Sequence, residues 1–398
     1  MRKKLMILGA SILQLPAIIK AKELGLGVVA VDMDENAAGF SVKGIEKEVI
    51  STIDTPRVIE AAKRHRIDGI MTLASDLPMR TVAAVCKEMG LVGIDEATAH
   101  RATNKAAMRE CLAAAGVAVP EFFAVRSEKE LLEKVGRFGC AVIVKPADNS
   151  GSRGITVIPD PKDTQVALKA FRYSMGFSRS GTVVIEECMT GPEVSVETMS
   201  IDGVCHVIQI TDKITTGAPH FVEMGHSQPT RLPRETAALI EKTAAAAVRA
   251  VGIMNGPSHT EIIVTREGPK IVELGARLGG DCITTHLTPL STGVDMVECC
   301  IRAALGQTPD ITRHKNAGSA IRYFDVCNGT IKRISGLDEA KSVPGVTHIE
   351  IVHDEGERIG EILSSSDRAG FIIAGGKDAQ TAAAACEKAV SCVRFTIE

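Results

Sequence analysis

Apolar runs alternate with polar ones along residues 1–90. KKLMILGAS, VVAVDMD and DGIMTLASD read as strands, and PAIIKAKELG and a segment opened by Thr55 and Pro56 read as helices between them. Strands alternating with helices predict a small parallel α/β domain. NKAAMRECLAAAGVAVP, residues 104–120, carries a helix with Thr103 as N-cap and Gly116 as stop, then a strand into Pro120. Residues 127–192 predict an inserted α/β unit. Ser127 and Glu130 form a capping box ahead of a helix, AVIVKPA and ITVI are strands, and TVVIEECM runs through a turn at 190–193 into VSVETMSIDG. Residues 211–231 are too irregular for either element and predict a long functional loop, in which Lys213, His220, Glu223 and His226 suit a substrate. Ala-rich helices at 235–251 and 293–305 end at Gly252 and Gly306. From residue 307, SAIRYF, GTIKRI, THIEIV and RAGFIIAGG precede a last helix and predict an α+β domain.

In 259–281, HTEIIVTREGPKIVELGARLGGD, two β-rich runs flank Arg266-Glu267-Gly268 and predict a hairpin. With Thr265 facing Pro269, Ile263 falls opposite Ile271 and Glu261 opposite Glu273. Like charges so placed repel unless a cation lies between them. Two carboxylates offering only oxygen suit Mg²⁺ held together with substrate phosphates, and Arg277 four residues on suits a phosphoryl oxygen or carboxylate near it. An exposed hairpin with unrelated charges is the alternative.

With 398 residues, 45% hydrophobic and 24% charged, the chain is long enough for two to four soluble domains. A net charge of -3, no Trp and two Tyr exclude a nucleic-acid grip. Eleven cysteines without Cys-x-x-Cys spacing suggest neither zinc nor disulfides and predict a reducing cytoplasm. No 18-residue apolar stretch predicts a membrane span. The turn after the first strand keeps only Gly9 of a G-x-G-x-x-G pattern, although Asp32 and Asp34 follow the second strand, so a docking domain is favoured over a dinucleotide site. Residues 149–154, NSGSRG, form a glycine loop after Lys145 that can fold over phosphates or serve as a plain hairpin turn. Lys105, in the first turn of its helix, reaches outward to an anion or to solvent.

Taken in order, these features resemble the ATP-grasp superfamily of carboxylate–amine ligases, over essentially the whole chain. The glutamate hairpin followed by HLTPLSTGVDMV looks most like the L-amino acid ligases; biotin carboxylase, the purine-pathway ligases and D-alanine ligase are similar at greater distance. The resemblance implies a fold that is α/β and α+β: a Rossmann-like pre-ATP-grasp domain (1–90), an ATP-grasp domain (91–306) with its lid at 126–192, and an α+β C-terminal domain (307–398). It implies that Lys105 and Lys145 contact ATP phosphates and that Ser150, Gly151, Ser152 and Gly154 belong to the mobile lid loop. Adenine would be held by the Glu186 side chain and by the backbone of Glu187 and Met189, and ribose by Glu193. Glu261 and Glu273 would bind Mg²⁺, or Mn²⁺ in its place, and Arg277 would steady the transferred phosphoryl group or the substrate. Many members have Asn two residues after the second glutamate; Gly275 stands there and leaves the second metal's coordination open.

The implied reaction phosphorylates a carboxylate with ATP and passes the acyl group to an amine. Small-molecule acid and amine are then the partners, without nucleic acid or membrane, and a homodimer is allowed. A purine-precursor or bicarbonate-using ligase, and a non-enzymatic nucleotide binder, are the alternatives. Carbamoyl-phosphate synthesis demands a longer chain with a duplicated ATP half.

Overall fold

A computed structural model describes residues 2–398. β1 (Lys4–Leu8), β2 (Gly27–Asp32), β3 (Glu46–Val49) and β4 (Gly69–Met71) form a parallel sheet of order β3-β2-β1-β4. All five residues of β1 but Lys4 are buried, as expected of a strand covered on both faces. Asp32 does not face outward to a ribose. Its Oδ2 accepts the Ala10 amide at 2.7 Å and its Oδ1 the Asp34 amide at 3.1 Å, so backbone occupies the carboxylate that a dinucleotide would need.

The helix read at 104–120 is Lys105–Ala114, and its cap is Asn104, not Thr103. Asn104 Oδ1 accepts the Ala107 amide at 3.0 Å, while Thr103 is the last residue of the preceding helix, Glu96–Thr103. Next, β5 (Phe122–Val125), β6 (Val142–Pro146), β7 (Thr156–Ile158) and β8 (Val183–Glu187) make an antiparallel sheet of order β5-β8-β6-β7. It has its own core of Leu131, Val142, Val144, Phe171 and Ile185.

The body is one eight-stranded antiparallel sheet. Its strands are β9 (Glu193–Ile201), β10 (Val204–Thr215), β11 (Glu223–Gln228), β12 (Gly256–Thr265), β13 (Gly268–Gly275), β14 (Gly318–Tyr323), β16 (Val346–Ile351) and β18 (Gly370–Gly376), in the order β13-β12-β9-β10-β11-β14-β18-β16. Three strands from beyond residue 307 therefore extend the sheet that carries the glutamate hairpin. The other three, β15 (Gly329–Ser335), β17 (Arg358–Ile359) and β19 (Arg394–Ile397), form a small separate sheet. The helix Arg234–Val251 packs Ile240, Ala244 and Val248 into a core with Ile262 and Ile271, which holds the hairpin from behind.

The stretch 211–231 is not a long loop. β10 continues to Thr215 and β11 runs from Glu223 to Gln228, so only 216–222 and 229–231 are irregular. β11, EMGHSQ, shows no apolar alternation because its buried residues, 225–228, include no apolar side chain. Gln228 Nε2 donates to Thr211 Oγ1 at 2.9 Å, and Ser291 Oγ donates to Gln228 Oε1 at 2.9 Å.

Candidate active site

The hairpin places Glu261 opposite Glu273 as expected, by a different route. Thr265 pairs with Gly268, so the connection has two residues, Gly268 takes φ +116, and Ile263 faces Lys270. A bulge then intervenes: Ile262 pairs with Ile271, Glu261 with Glu273, and Val272 is the extra residue. The Val272 carbonyl accepts Arg109 Nη2 at 2.6 Å.

Each glutamate meets an ammonium. Lys105 Nζ lies 2.7 Å from Glu273 Oε1 and also donates to the Asn149 carbonyl at 2.7 Å. Lys213, its side chain 3% exposed, lies 2.6 Å from Glu193, 3.1 Å from Glu261 and 3.4 Å from Glu223. Burial alone would raise the Glu261 carboxyl, but Lys213 and His259 hold it well below the usual carboxylate range. Lys213 is in turn held above the ordinary lysine value, since Glu261, Glu193 and Glu223 together outweigh its desolvation. Behind them, His259 Nδ1 is 2.7 Å from the fully buried Glu197 and its Nε2 is 3.4 Å from Glu261. Burial opposes the imidazolium, yet Glu197 and Glu261 raise its pKa to about 9.

A cavity of about 580 Å³ opens over this hairpin. Every residue assigned above to ATP, Mg²⁺ or the transferred group lines it except Gly154, and the turn 74–78 after β4 closes one side. Gly154, at φ +78, is needed where it stands: an added Cβ would sit 2.8 Å from Phe177 and 2.9 Å from Pro146. The loop above the hairpin also uses left-handed backbone at Gly151 and Ser152. The donor set suits a hard cation, with two carboxylates from neighbouring strands, 22% and 27% exposed toward the cavity, while burial pushes the pKa of the Cys188 thiol on its wall up and keeps it protonated. At position 275 an added Cβ would lie 3.0 Å from both Arg277 Nε and Asp76 Oδ1, so an Asn there would require this side-chain pair to shift by a few tenths of an ångström.

Residues 138–285 match the ATP-grasp domain family, and residues 322–398 match L-amino acid ligase C-terminal domain 2. The chain carries an ATP-grasp domain. It is an ATP-dependent ligase that makes carbon–nitrogen bonds. It is 27% identical over 288 residues to the L-arginine-specific L-amino acid ligase of Bacillus subtilis, a match covering 70% of this chain and 68% of that protein. The L-amino acid ligase of Bacillus licheniformis shares the fold with a TM-score of 0.87 at 23% identity, over 100% of this chain and 99% of that one. Phosphoribosylglycinamide synthetase of Anaerococcus prevotii does so with a TM-score of 0.80 at 22% identity, over 100% of both.

Two of the residues given ATP-grasp roles are not free in the structure. Glu186 does not offer a free side chain to adenine. It is buried, its Oε1 takes Arg109 Nε at 2.7 Å and its Oε2 takes Lys145 Nζ at 2.6 Å. Desolvation lowers the Lys145 pKa and would raise that of Glu186, but Arg109 and Lys145 together keep the carboxyl below its usual value. The Glu187 carboxylate is likewise paired, 2.6 Å from Lys270. Arg277 is not a free guanidinium but forks onto Asp76, with Nε 2.8 Å from Oδ1 and Nη2 3.0 Å from Oδ2.

Sequence reasoning missed Asp76, Arg109, Glu197, Asp281 and Arg368. Asp76 had a usable signal, because it follows the carboxyl end of a parallel strand, where α/β sheets place ligands. Arg109 and Glu197 lay inside an ordinary helix and strand, and nothing in their spacing distinguished them. Of the four residues read into the substrate loop, Lys213, Glu223 and His226 face the cavity and His220 is exposed outside it. Arg322 is structural: its Nη1 donates to the His226 carbonyl at 3.1 Å and to Ser227 Oγ at 3.2 Å.

Proposed function

We propose that this ATP-grasp ligase joins an amino acid to an amine through an acyl phosphate, releasing ADP and phosphate. One observation carries the reading: a single cavity gathers the nucleotide-type elements (Lys105, Lys145, the glycine loop, the hinge, Glu193) together with a second set, Asp76–Arg277 and Glu223, that they do not use. The L-amino acid ligase C-terminal family at 322–398 supports amino acids as the class that fills the second set.

In this reading residues 1–90, 91–306 with the lid at 126–192, and 307–398 are the three working units. Lys105 and Lys145 neutralise phosphate oxygens, the amides of Ser150, Gly151, Ser152 and Gly154 close over them, and the backbone of Glu187 and Met189 holds adenine. Glu193 takes the ribose hydroxyls. Glu261 and Glu273, now paired with Lys213 and Lys105, would hold Mg²⁺, or Mn²⁺ in its place, and the metal would supply charge neutralisation at the phosphates. The substrate carboxylate attacks the terminal phosphoryl group; the amine nitrogen then attacks the acyl carbon and expels phosphate. No enzyme nucleophile is required, so alignment and charge do the work. Arg277, oriented by Asp76, stabilises negative charge on the reacting groups.

The test is release of ADP and phosphate against single and paired amino acids, with mass spectrometry of products. A ligated product containing an amino acid is expected. Turnover driven instead by phosphoribosylamine with glycine, or by bicarbonate, replaces the reading, and no ATP turnover with any acceptor refutes it.

A further inference from the structure

The turn that follows Arg277 is held in a costly shape. Asp281 and Cys282 are consecutive non-glycine residues at φ +51 and +60, a conformation the surroundings must offset. What holds it comes from the C-terminal part of the chain. Arg368, its side chain 9% exposed, lies between β17 and β18, and its Nη1 and Nη2 grip Asp281 Oδ2 and Oδ1, both at 2.8 Å. The same Nη1 donates to the Glu223 carbonyl at 2.9 Å, and its Nε donates to the Ser365 carbonyl at 2.8 Å. Ser365 Oγ reaches the Glu223 carboxylate at 3.2 Å. The guanidinium stacks on Tyr323, 3.7 Å from the ring centre, and His226 Nε2 adds a contact to Asp281 Oδ2 at 3.2 Å.

Glu223, Ser365, Gly280 and Asp281 all line the cavity, whereas Arg368 does not. With three contacts the Asp281 carboxylate has little left for a ligand, so it serves as an anchor. We propose that Arg368 is a positioning residue for the acid and amine substrates. By gripping Asp281 and the Glu223 backbone together, it fixes the left-handed turn against β11 and so sets the geometry of the substrate end of the cavity. The proposal rests on the ligase reading above for what the cavity holds, but not for the grip itself.

The test compares Arg368→Lys and Asp281→Asn with the parent in the full chain. Lysine keeps the charge but loses the fork, and asparagine keeps tolerance of the left-handed region while losing the charge. For each variant KM for the amino acid should rise about tenfold, the worth of a charged hydrogen bond, with KM for ATP within about twofold. Hydrogen exchange across 279–283 should quicken about tenfold in nucleotide-bound protein, and the double variant should be no worse than either single one. Unchanged KM values with unchanged exchange overturn the proposal. So does an equal rise in both KM values, which marks general structural damage. If Arg368→Lys does not fold, Asp281→Asn decides. If the parent itself turns over no ATP the ligase reading fails, while exchange at 279–283 still decides whether Arg368 fixes the turn.

Discussion

Replacing Lys213 by Met removes one ammonium and leaves three carboxylates facing one another, while the similar length of the side chain avoids an added cavity. At an effective dielectric constant of about 20, unit charges about 3.4 Å apart attract by roughly 5 kcal/mol. Lys213 has three such partners, at 2.6, 3.1 and 3.4 Å. Desolvation of the ammonium and mutual repulsion of the carboxylates offset most of that sum, and losing one partner of a buried pair costs about 3–5 kcal/mol net. That range is the expected loss at pH 7, measured by urea unfolding in the presence of a chelator. The pH dependence has a definite sign. Glu261 has its folded pKa depressed by Lys213, so its stabilisation is complete above the unfolded value, about 4.3, and is lost as pH falls toward the folded one. Lys213, held above the usual lysine value, contributes fully at pH 7 as well. The gap between parent and variant should therefore be full at pH 7 and narrow below about pH 4.3. Mg²⁺ should raise the unfolding midpoint of the variant more than that of the parent, by answering the unpaired carboxylates. A loss under about 1 kcal/mol, or one equal at pH 7 and pH 4, refutes the reasoning.

Lys145→Ala should weaken ATP binding by about 1–3 kcal/mol in calorimetry, and unchanged affinity sinks the phosphate assignment. Exchange across 148–156 should slow when ATP and Mg²⁺ are added, and equal protection in both states counts against a phosphate lid. Arg277→Ala should retain nucleotide and Mg²⁺ binding while turnover collapses; retained turnover refutes a role at the reacting groups. Glu273→Gln should lower stability in the absence of divalent cation, because Lys105 loses its partner at 2.7 Å; a variant as stable as the parent shows that repulsion from Glu261 dominates.

Local patterns determined a good part of this protein. The parallel α/β start, the glycine loop between two strands, and two glutamates at matching positions of a hairpin all follow from short-range periodicity and turn chemistry, which act within a dozen residues. Even there a one-residue error in the turn went unseen, because the bulge at Val272 cancels it before the glutamates are reached. β11 was unreadable because the residues it buries, 225–228, include no apolar side chain. The sharing of one sheet by β12, β14 and β18 was also invisible, since side-chain period tells which face is buried but not which strand comes alongside. Charge neutralisation belongs entirely to the tertiary structure. Lys213 meets Glu261 across 48 residues, Arg368 meets Asp281 across 87, and Arg277 meets Asp76 across 201. A carboxylate's partner is chosen by distance in space and by the exclusion of water, and only the packed sheets bring those groups within 3 to 4 Å of one another in a low-dielectric setting.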